Sequence, residues 1–579
     1  MTASPQLLRG SDAVPGVAPA GPPPPPGRTP GPAPAPRGAA AGRPGRADGA
    51  TFLRLGLWAA CAAAVLVPIA AIIVLAVTGG GWRELISPDV AEAAGNSLVS
   101  AGVSALGAVL IGTLLALLLE RTDVPFRRTL RLLALSPMLV PPFVGAIAWL
   151  SLLGPSSGLN RAWTEAFGGP LWNLYGADGV IFLLTLHSYP IAMLIVSTAL
   201  RRIPADLEQA ARISGASAPI ALLQITAPLL RPAVLSAFTL IAVSNLADFG
   251  IPSIIGLPDR YVTLSTLVYR TLQSGTAEDP LAVVAAIGLV LLVIAVLGVL
   301  ADLFLAKNRI EIDASASAPE RLPLGPARVP VGLISAAAIL AVTVLPLVTL
   351  TIQAILPAPG VPLRWDTVTL SSIERAVTAP GTVTGITNSL MLAGLAAVIC
   401  GVLGLAVGTL VTRSRARDNG ALLSVALLPQ AIPGLVIAVA WLVIAPRIGL
   451  FNTPWLILCA YVTSFLALVV QSVTAPLRGI PLFAEEAARV SGAGRFRALI
   501  DISFRMAIPA ALSGAALVAL TAVRELTLSV LLLAPGAQTL GVVIFNLQQA
   551  GAYNAASALS LIVTLIGLAG LGLAARSSR

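Results

Sequence analysis

Long apolar runs constrain the fold of this chain more than any other feature of its sequence. Twelve stretches carry little charge and are about 17–25 residues long, which is enough to cross a bilayer as a helix. They are continuous rather than alternating, so they do not fit the strands of a membrane barrel. With 56% hydrophobic and 11% charged residues, the chain is also too apolar for a soluble domain. We therefore expect an all-α polytopic membrane protein with about twelve transmembrane helices, at Leu55–Val77, Ser97–Leu119, Leu132–Leu153, Val180–Leu200, Ala233–Phe249, Leu281–Leu305, Val331–Ile355, Ser389–Val411, Ala421–Ile444, Trp455–Val473, Ala510–Leu533 and Ala555–Leu573.

The basic residues predict how these runs are oriented. If the N-terminus is cytoplasmic and the runs alternate in direction, the cytoplasmic loops and the C-terminus hold 22 Lys and Arg residues, and the external loops hold seven. This asymmetry is the positive-inside bias of membrane proteins. It predicts that both termini are cytoplasmic, and it accounts for the net charge of +10 without a nucleic-acid partner.

One short pattern occurs twice, at an offset of 277 residues, in loops that the charge bias assigns to the cytoplasm. In each copy acidic side chains stand where a short helix begins, as the helix dipole favours. Small alanines allow close approach to a partner, and a glycine suits a left-handed helix C-terminus. We interpret each copy as a short rigid helix that transmits motion between a soluble partner and two spans. The copies read Gln209-Ala210-Ala211-Arg212-Ile213-Ser214-Gly215, then nine residues and Ile225, and Glu486-Ala487-Ala488-Arg489-Val490-Ser491-Gly492, then nine residues and Ile502.

The duplication extends beyond these loops. Asn96-Ser97-Leu98 recurs as Asn388-Ser389-Leu390 at an offset of 292, and the first half carries 15 extra residues in the predicted external loop around 154–178. Each half contributes six spans, an even number, so the halves share one orientation and a pseudo-twofold axis along the membrane normal. We predict a disordered Pro/Ala-rich cytoplasmic tail at 1–50, a first half at 51–305, a cytoplasmic linker at 306–330 and a second half at 331–579.

The repeated pattern resembles the cytoplasmic coupling loop of ABC importer permeases of the binding-protein-dependent type, whose pattern is E-A-A, three residues, G, nine residues, I. The resemblance implies a bacterial plasma-membrane permease with both transmembrane halves in one chain, two copies of an ABC ATPase subunit, an extracytoplasmic solute-binding protein and alternating access. The first copy has Gln209 where the pattern has Glu, although Glu208 is adjacent, so its contact with the ATPase is expected to be weaker. The residues assigned to coupling are Glu208, Gln209, Ala210, Ala211, Gly215, Glu486, Ala487, Ala488 and Gly492.

The cargo expectation rests on the same resemblance. Fusion of two six-span halves is typical of the ferric-iron and thiamine permeases, and the stretches at 247–250 and 524–528 resemble the ferric-iron group. Ferric iron is therefore the expected cargo, with thiamine, 2-aminoethylphosphonate and polyamines as alternatives. A secondary transporter driven by an ion gradient is the alternative from another class, but it does not account for two coupling loops.

The chain has no ATP-binding motif of its own. A Walker A loop needs glycines followed by Lys and then Ser or Thr, whereas the single lysine, Lys307, precedes Asn308. We expect a transport subunit that is not an enzyme and binds no cofactor, with ATP and Mg²⁺ held by partner subunits.

Two acidic residues lie within predicted spans, where charge is costly and usually functional. Asp248 and Glu525 are 277 residues apart, so they are symmetry mates in the fifth span of each half. With Asn245 and Arg524 they are predicted to line the transport pathway or its outer gate, or else to make structural polar contacts; a transient contact with a hard metal cation fits their oxygen chemistry. The double change Asp248→Asn and Glu525→Gln is predicted to abolish uptake.

The other reactive side chains predict no catalytic site. His187, the single histidine, precedes Pro190 and is expected to be a packed residue at a helix kink, with a proton-relay role as the alternative. Cys61, Cys400 and Cys459 are odd in number and fit no metal spacing, so we interpret them as small buried hydrophobic residues.

Overall fold

The first half is built from helices joined by short loops. The computed structural model describes residues 49–275, 278–306, 321–414 and 416–577, so residues 1–48 of the predicted tail and 307–320 of the predicted linker lie outside the described residues. The helices of the first half are α1 (Thr51–Thr78), α2 (Pro88–Arg121), α3 (Arg127–Leu135), α4 (Pro142–Leu153), α5 (Gly158–Phe167), α6 (Ala177–Leu200), α7 (Ala205–Ile213), α8 (Ala218–Leu246), α9 (Leu264–Ser274) and α10 (Pro280–Ala306).

The second half repeats this order. Its α11 begins at Gly325, inside the predicted linker, and α12 is a short helix in a predicted external loop, without a helical counterpart of that length in the first half. No β-strand occurs in the described ranges, where Thr122 and Leu322 form one isolated bridge. The helices of the second half are α11 (Gly325–Ala354), α12 (Ser371–Thr378), α13 (Pro380–Arg413), α14 (Asn419–Leu427), α15 (Gly434–Ile444), α16 (Pro454–Gly479), α17 (Phe483–Val490), α18 (Phe496–Val523), α19 (Thr527–Leu531), α20 (Leu540–Gln549) and α21 (Tyr553–Ser577).

The all-α polytopic fold is confirmed, but the number of continuous spans is smaller than predicted. Within the described residues, ten helices are long and apolar enough to cross a membrane, or up to eleven if the bent pair Asn419–Ala431 and Gly434–Ile444 is one span. The twelfth predicted run falls on α21, whose side chains are described only as far as Gly567.

Prolines explain why two of the predicted spans, the third and the ninth, are interrupted. The run Leu132–Leu153 is divided into α3 and α4, and the run Ala421–Ile444 is divided into α14 and α15, which meet at 106°. Pro141, Pro142 and Pro433 stand at the breaks. Proline lacks a backbone donor and biases the preceding residue away from helical conformation, so both runs break at equivalent positions.

The two halves repeat the same contacts. Ser97 Oγ accepts a hydrogen bond from the backbone N–H of Leu264 at 2.8 Å, and Ser389 Oγ accepts one from Leu540 at 2.8 Å. In each half, a long helix (α2 or α13) is thereby fastened to the short helix that follows the fifth span. The duplication seen in the sequence is therefore also a duplication of tertiary contacts.

The first helix of each half is fastened to the other half. Arg54 of α1 forms an ion pair with Asp418, which lies beside α14, and Trp58 Nε1 donates to the same carboxylate at 2.8 Å. In the reciprocal place, Arg328 of α11 donates to the backbone oxygen of Asp123 at 2.9 Å and lies 3.5 Å from its carboxylate. We call these two contacts the reciprocal clasps; they join the halves at the ends of α1 and α11 that are predicted to be cytoplasmic.

Candidate coupling loops and transport pathway

Both repeated motifs form the same helix and the same helix end. Gly215 and Gly492 follow α7 and α17 with φ of +94° each, a backbone conformation that side-chain-bearing residues seldom adopt. Ala216 N–H donates to Ala211 O at 3.0 Å, and Ala493 N–H donates to Ala488 O at 3.0 Å. These bonds are the six-to-one contacts of a Schellman C-cap, so the glycine of the pattern ends the loop helix, as the sequence predicts.

The tips of both loop helices present an apolar side chain to the outside. Ile213 is 87% exposed and Val490, at the equivalent position, is 90% exposed. Gln209 and Glu486 are exposed too, as are Ala210 and Ala487. We call these two surfaces the loop tips; an exposed apolar residue among polar neighbours, repeated in both halves, is suited to a protein partner.

A second acidic side chain of each loop points into the protein, where it is buried in the first half and partly buried in the second, and it is tied to a transmembrane helix. Glu208 Oε1 lies 3.5 Å from Arg121 Nη2 and accepts a hydrogen bond from Thr226. We call the ion pair between Arg121 and Glu208, and its counterpart in the second half, the struts. Arg121, at the end of α2, is only 1% exposed.

The second half contains the equivalent strut. Glu485 Oε1 lies 3.3 Å from Arg413 Nε at the end of α13 and accepts a hydrogen bond from Ser503. The counterpart of Glu208 is therefore Glu485, and Glu208 does not stand in for the motif glutamate. Glu485, Arg413 and Arg121 were not predicted as functional residues from the sequence, although the offset of 277 residues aligns Glu208 with Glu485.

Each strut arginine also holds the chain that leads into the loop helix. Arg121 Nη2 donates to Leu200 O at 3.3 Å, and Arg413 Nη1 donates to Ile480 O at 3.0 Å. One arginine thus contacts the entry to the loop helix and the loop helix itself. This arrangement connects the loops to the second and eighth predicted spans.

The prediction that Asp248 and Glu525 lie within helical spans is wrong. The helix α8 ends at Leu246 and α18 ends at Val523, so each acid lies in the break that follows. Asp248 Oδ1 accepts a hydrogen bond from Ile251 N at 2.9 Å, and both Glu525 carboxylate oxygens accept from Leu528 N at 2.9 Å. Each carboxylate therefore caps the helical segment that starts after the break. Whether either acid also contacts cargo stays a prediction.

Asn245 and Arg524 hold helices together at the same level. Asn245 Nδ2 donates to Ser104 Oγ at 2.9 Å, and its Oδ1 accepts from Ser188 at 2.8 Å, which joins α8 to α2 and α6. Arg524 belongs to the second half but donates to Leu139 O of the first half. Asp248 and Glu525 therefore occupy equivalent breaks, with Arg524 beside Glu525 and Asn245 in the last turn of α8, and the contacts described for all four residues are structural.

Three aromatic rings meet where the halves join. Leu264 and Leu540 make the equivalent contacts described above. Tyr269 and Phe545 each follow their leucine by five residues, so they occupy equivalent positions on α9 and α20. Their ring centroids are 5.9 Å apart with an interplanar angle of 86°, and Phe249 lies 5.7 Å from Phe545. We call these three residues the aromatic plug; sequence reasoning did not single them out, because neither Tyr nor Phe is unusual in an apolar helix.

The described side chains contain no group of three or more His, Cys, Asp or Glu residues that could hold a metal ion. His187 lines a cavity of about 110 Å³ whose other lining residues are mainly apolar, including Pro346 and Leu347 of α11. All three cysteines are free thiols, and Cys61 and Cys400 are buried, as predicted, whereas Cys459 is partly exposed.

The chain is similar to known transport proteins over most of its length. Residues 108–310 and 400–579 each match the sequence profile of the family described as binding-protein-dependent transport system inner membrane component. The Fe(3+)-transport system permease protein FbpB 2 of Haemophilus influenzae is 25% identical over 488 residues, which cover 83% of this chain and 89% of that protein.

Two further relatives differ in coverage. The probable ABC transporter permease protein y4fN of Sinorhizobium fredii is 26% identical over an aligned region that covers 69% of this chain and 71% of that protein. The molybdenum transport system permease protein ModB of Mycobacterium tuberculosis is 32% identical over an aligned region that covers 87% of that protein but only 41% of this chain.

Proposed function

We propose that the chain, which belongs to the family of binding-protein-dependent transport system inner membrane components, is the fused permease of an ATP-driven importer for ferric iron. The observation that carries the mechanism is the duplicated loop. Two loop tips expose Ile213 and Val490, and two struts tie the loops to α2 and α13. This is the geometry needed to transmit motion from two soluble subunits to two membrane halves.

The energy source is assigned to partners. An ABC ATPase subunit at each loop tip binds ATP and Mg²⁺ and supplies hydrolysis, while this chain binds no cofactor and is not an enzyme. Closure of the ATPases pushes the loop helices together, and the struts pass the displacement to the spans. A solute-binding protein delivers cargo on the opposite face, and the N- and C-termini are cytoplasmic in the plasma membrane of a bacterium.

Ferric iron is the cargo favoured by the similarity that spans both halves. The similarity to the Fe(3+)-transport permease FbpB 2 extends over 83% of this chain and 89% of that protein. The molybdenum permease matches 41% of this chain and is therefore informative about family more than about cargo.

Co-purification tests this proposal and does not require the cargo to be chosen in advance. The tagged chain is purified from its native membrane in mild detergent, and the accompanying proteins are identified by mass spectrometry. We expect an ABC ATPase and a solute-binding protein whose retained metal is iron. Absence of both, under conditions that preserve other membrane complexes, would overturn the importer; a binding protein that retains another solute would overturn the cargo alone.

A further inference from the structure

The 15-residue insertion of the first half is a built structure rather than a loose loop. Asn160, which is 2% exposed, lies at its centre: the side chain accepts from Leu171 N at 2.8 Å and donates to Trp172 O at 2.9 Å. Ser157 Oγ caps α5 by accepting from Asn160 N at 3.1 Å. The ring of Trp172 packs on Phe182 of α6, with centroids 5.0 Å apart. The insertion therefore holds a fixed shape on the predicted external face.

This insertion forms one wall of the cavity of about 600 Å³ that lies between the halves. Asn173 and Tyr175 contribute from the insertion side, and Asp259 contributes from the segment that Asp248 caps. Gln548 and Tyr553 contribute from the second half. We call this space the outer chamber. Gln548 stands three residues, or about one helical turn, beyond Phe545 of the aromatic plug, so the chamber adjoins the plug.

One residue that lines the outer chamber has a side-chain oxygen without a partner within the part of the chain that the structure describes. Gln548 is only 8% exposed, and its buried Oε1 meets no hydrogen-bond donor there. A buried amide oxygen without a donor is costly to leave unsatisfied. A smaller adjoining space of about 30 Å³ shares Tyr175, Gln548 and Tyr553, and in it the fully buried Ser557 Oγ is unpartnered too.

The chemistry of the lining favours a cation. Among the described residues, the chamber is lined by phenol, carboxylate, hydroxyl and amide groups, and by no lysine or arginine. Oxygen donors are the ligands that hard cations prefer. The volume of about 600 Å³ is large enough to admit an ion together with its hydration water.

We propose that the outer chamber is a reception site where a hard, hydrated trivalent cation rests between the solute-binding protein and the aromatic plug, held by Asp259, Tyr175, Tyr553 and Gln548. This proposal rests on the proposed function for its cargo. The second half has no such insertion, so the symmetric importer has one reception site rather than two.

The site is built to hold its ligand weakly. Only one of the four proposed ligands is a carboxylate, and the other three offer phenol or amide oxygens. Neutral donors bind a cation less tightly than a cluster of carboxylates or thiolates does. Weak binding suits a transit site, from which the ion must leave at every cycle.

Terbium luminescence tests the site directly, because Tb³⁺ is a hard trivalent ion whose emission is sensitised by nearby tyrosine. The full chain in lipid nanodiscs is titrated with Tb³⁺, and Fe³⁺ is then added as a chelate to displace it. We expect Asp259→Asn to weaken Tb³⁺ binding by about 10- to 100-fold, and Tyr553→Phe to reduce both the affinity and the sensitised emission. The matched control is Asp366→Asn, because Asp366 also lies on a predicted external loop but does not line the chamber.

Uptake assays separate this proposal from the proposed function. In vesicles with the ATPase and the binding protein, Asp259→Asn is expected to raise KM for ferric iron with little change in kcat. Tb³⁺ affinity that stays within about twofold in both chamber variants would overturn the reception site, as would a chamber variant that weakens only the docking of the binding protein. If wild-type protein binds Tb³⁺ in the chamber but imports no iron, the cargo assignment fails and the cation site stands.

Discussion

Glu485 and Glu486 are adjacent in α17, yet they meet different surroundings. Glu485 contacts Arg413 and Ser503 inside the protein, whereas Glu486 is exposed at the loop tip and has no ion pair or hydrogen bond among the described residues. The first glutamate therefore belongs to the strut and the second to the loop tip. In the first half the same two positions are Glu208 and Gln209.

Substitution at the strut is expected to affect stability and coupling together. Glu485→Gln removes the charge that balances Arg413, whose side chain is 4% exposed. Because an unbalanced charge is left largely buried, we expect a loss of about 2 kcal/mol in the free energy of unfolding and a loss of uptake. Thermal unfolding and uptake are measured on the same preparations.

The neighbouring residue provides the control for the strut. Glu486→Gln should leave the melting temperature unchanged and weaken binding of the ATPase. The exchanged pair Glu485→Arg with Arg413→Glu should recover part of the stability that either single charge reversal loses. Equal melting temperatures for Glu485→Gln and wild type would contradict the strut.

The capping acids can be tested by separating charge from hydrogen bonding. Asp248→Asn with Glu525→Gln keeps an acceptor oxygen at both caps and removes both charges. The prediction that this double variant loses uptake is retained, with an unchanged melting temperature. The pair Asp248→Ala and Glu525→Ala also removes the caps, which costs about 1 kcal/mol at each site. Normal uptake in the Asn/Gln variant would show that the acids serve only as caps.

At the scale of secondary structure, local chemistry made the loop helices predictable and the span breaks less so. The acidic start, the alanines and the final glycine of each loop act within a few residues, so the sequence pattern located both helices. The strut depends on Arg413, which is distant in sequence from Glu485. The ends of α8 at Leu246 and α18 at Val523 have no proline or glycine at the break itself, so hydropathy alone extended both spans too far.

The terminal glycine of the loop helix offers a test of element geometry. Gly492 has φ of +94°, and no atom lies within 4 Å of the position that a Cβ would take. Gly492→Ala therefore introduces backbone strain without a clash, and we expect it to cost about 1–2 kcal/mol locally and to weaken ATPase binding. Gly494→Ala is the control, because that site is equally open and its φ is not positive. Equal ATPase affinity for both variants would contradict the importance of this helix end.

At the scale of the whole molecule, the reciprocal clasps and the aromatic plug make the two halves one assembly. The helix α1 of the first half contacts the second half, and α11 of the second half contacts the first half. Neither half is therefore a separate body. The duplicated motifs and the offset predicted this pairing of halves. The side chains that join them, such as Arg54 with Asp418, could not be paired from sequence because no pattern relates their positions.

Cutting the chain between the halves tests the reciprocal clasps. When the protein is divided within residues 307–320 and both parts are co-expressed, we expect them to co-purify and to retain uptake. In this divided protein, Arg54→Ala with Arg328→Ala should reduce co-purification, whereas Arg447→Ala on a predicted external loop should not. Unchanged recovery of the Arg54→Ala, Arg328→Ala pair would show that the clasps do not fasten the halves.

Uptake of ferric iron into proteoliposomes is the most direct test of ATP-driven import through this chain. The vesicles contain the chain with its ATPase subunits, and the loaded binding protein is supplied at the external face. The account predicts uptake that requires ATP on the ATPase side and that is lost when the loop tips carry Ile213→Glu and Val490→Glu, although the variant remains folded. Uptake driven by an ion gradient without ATP, and unaffected by these two changes, would contradict it.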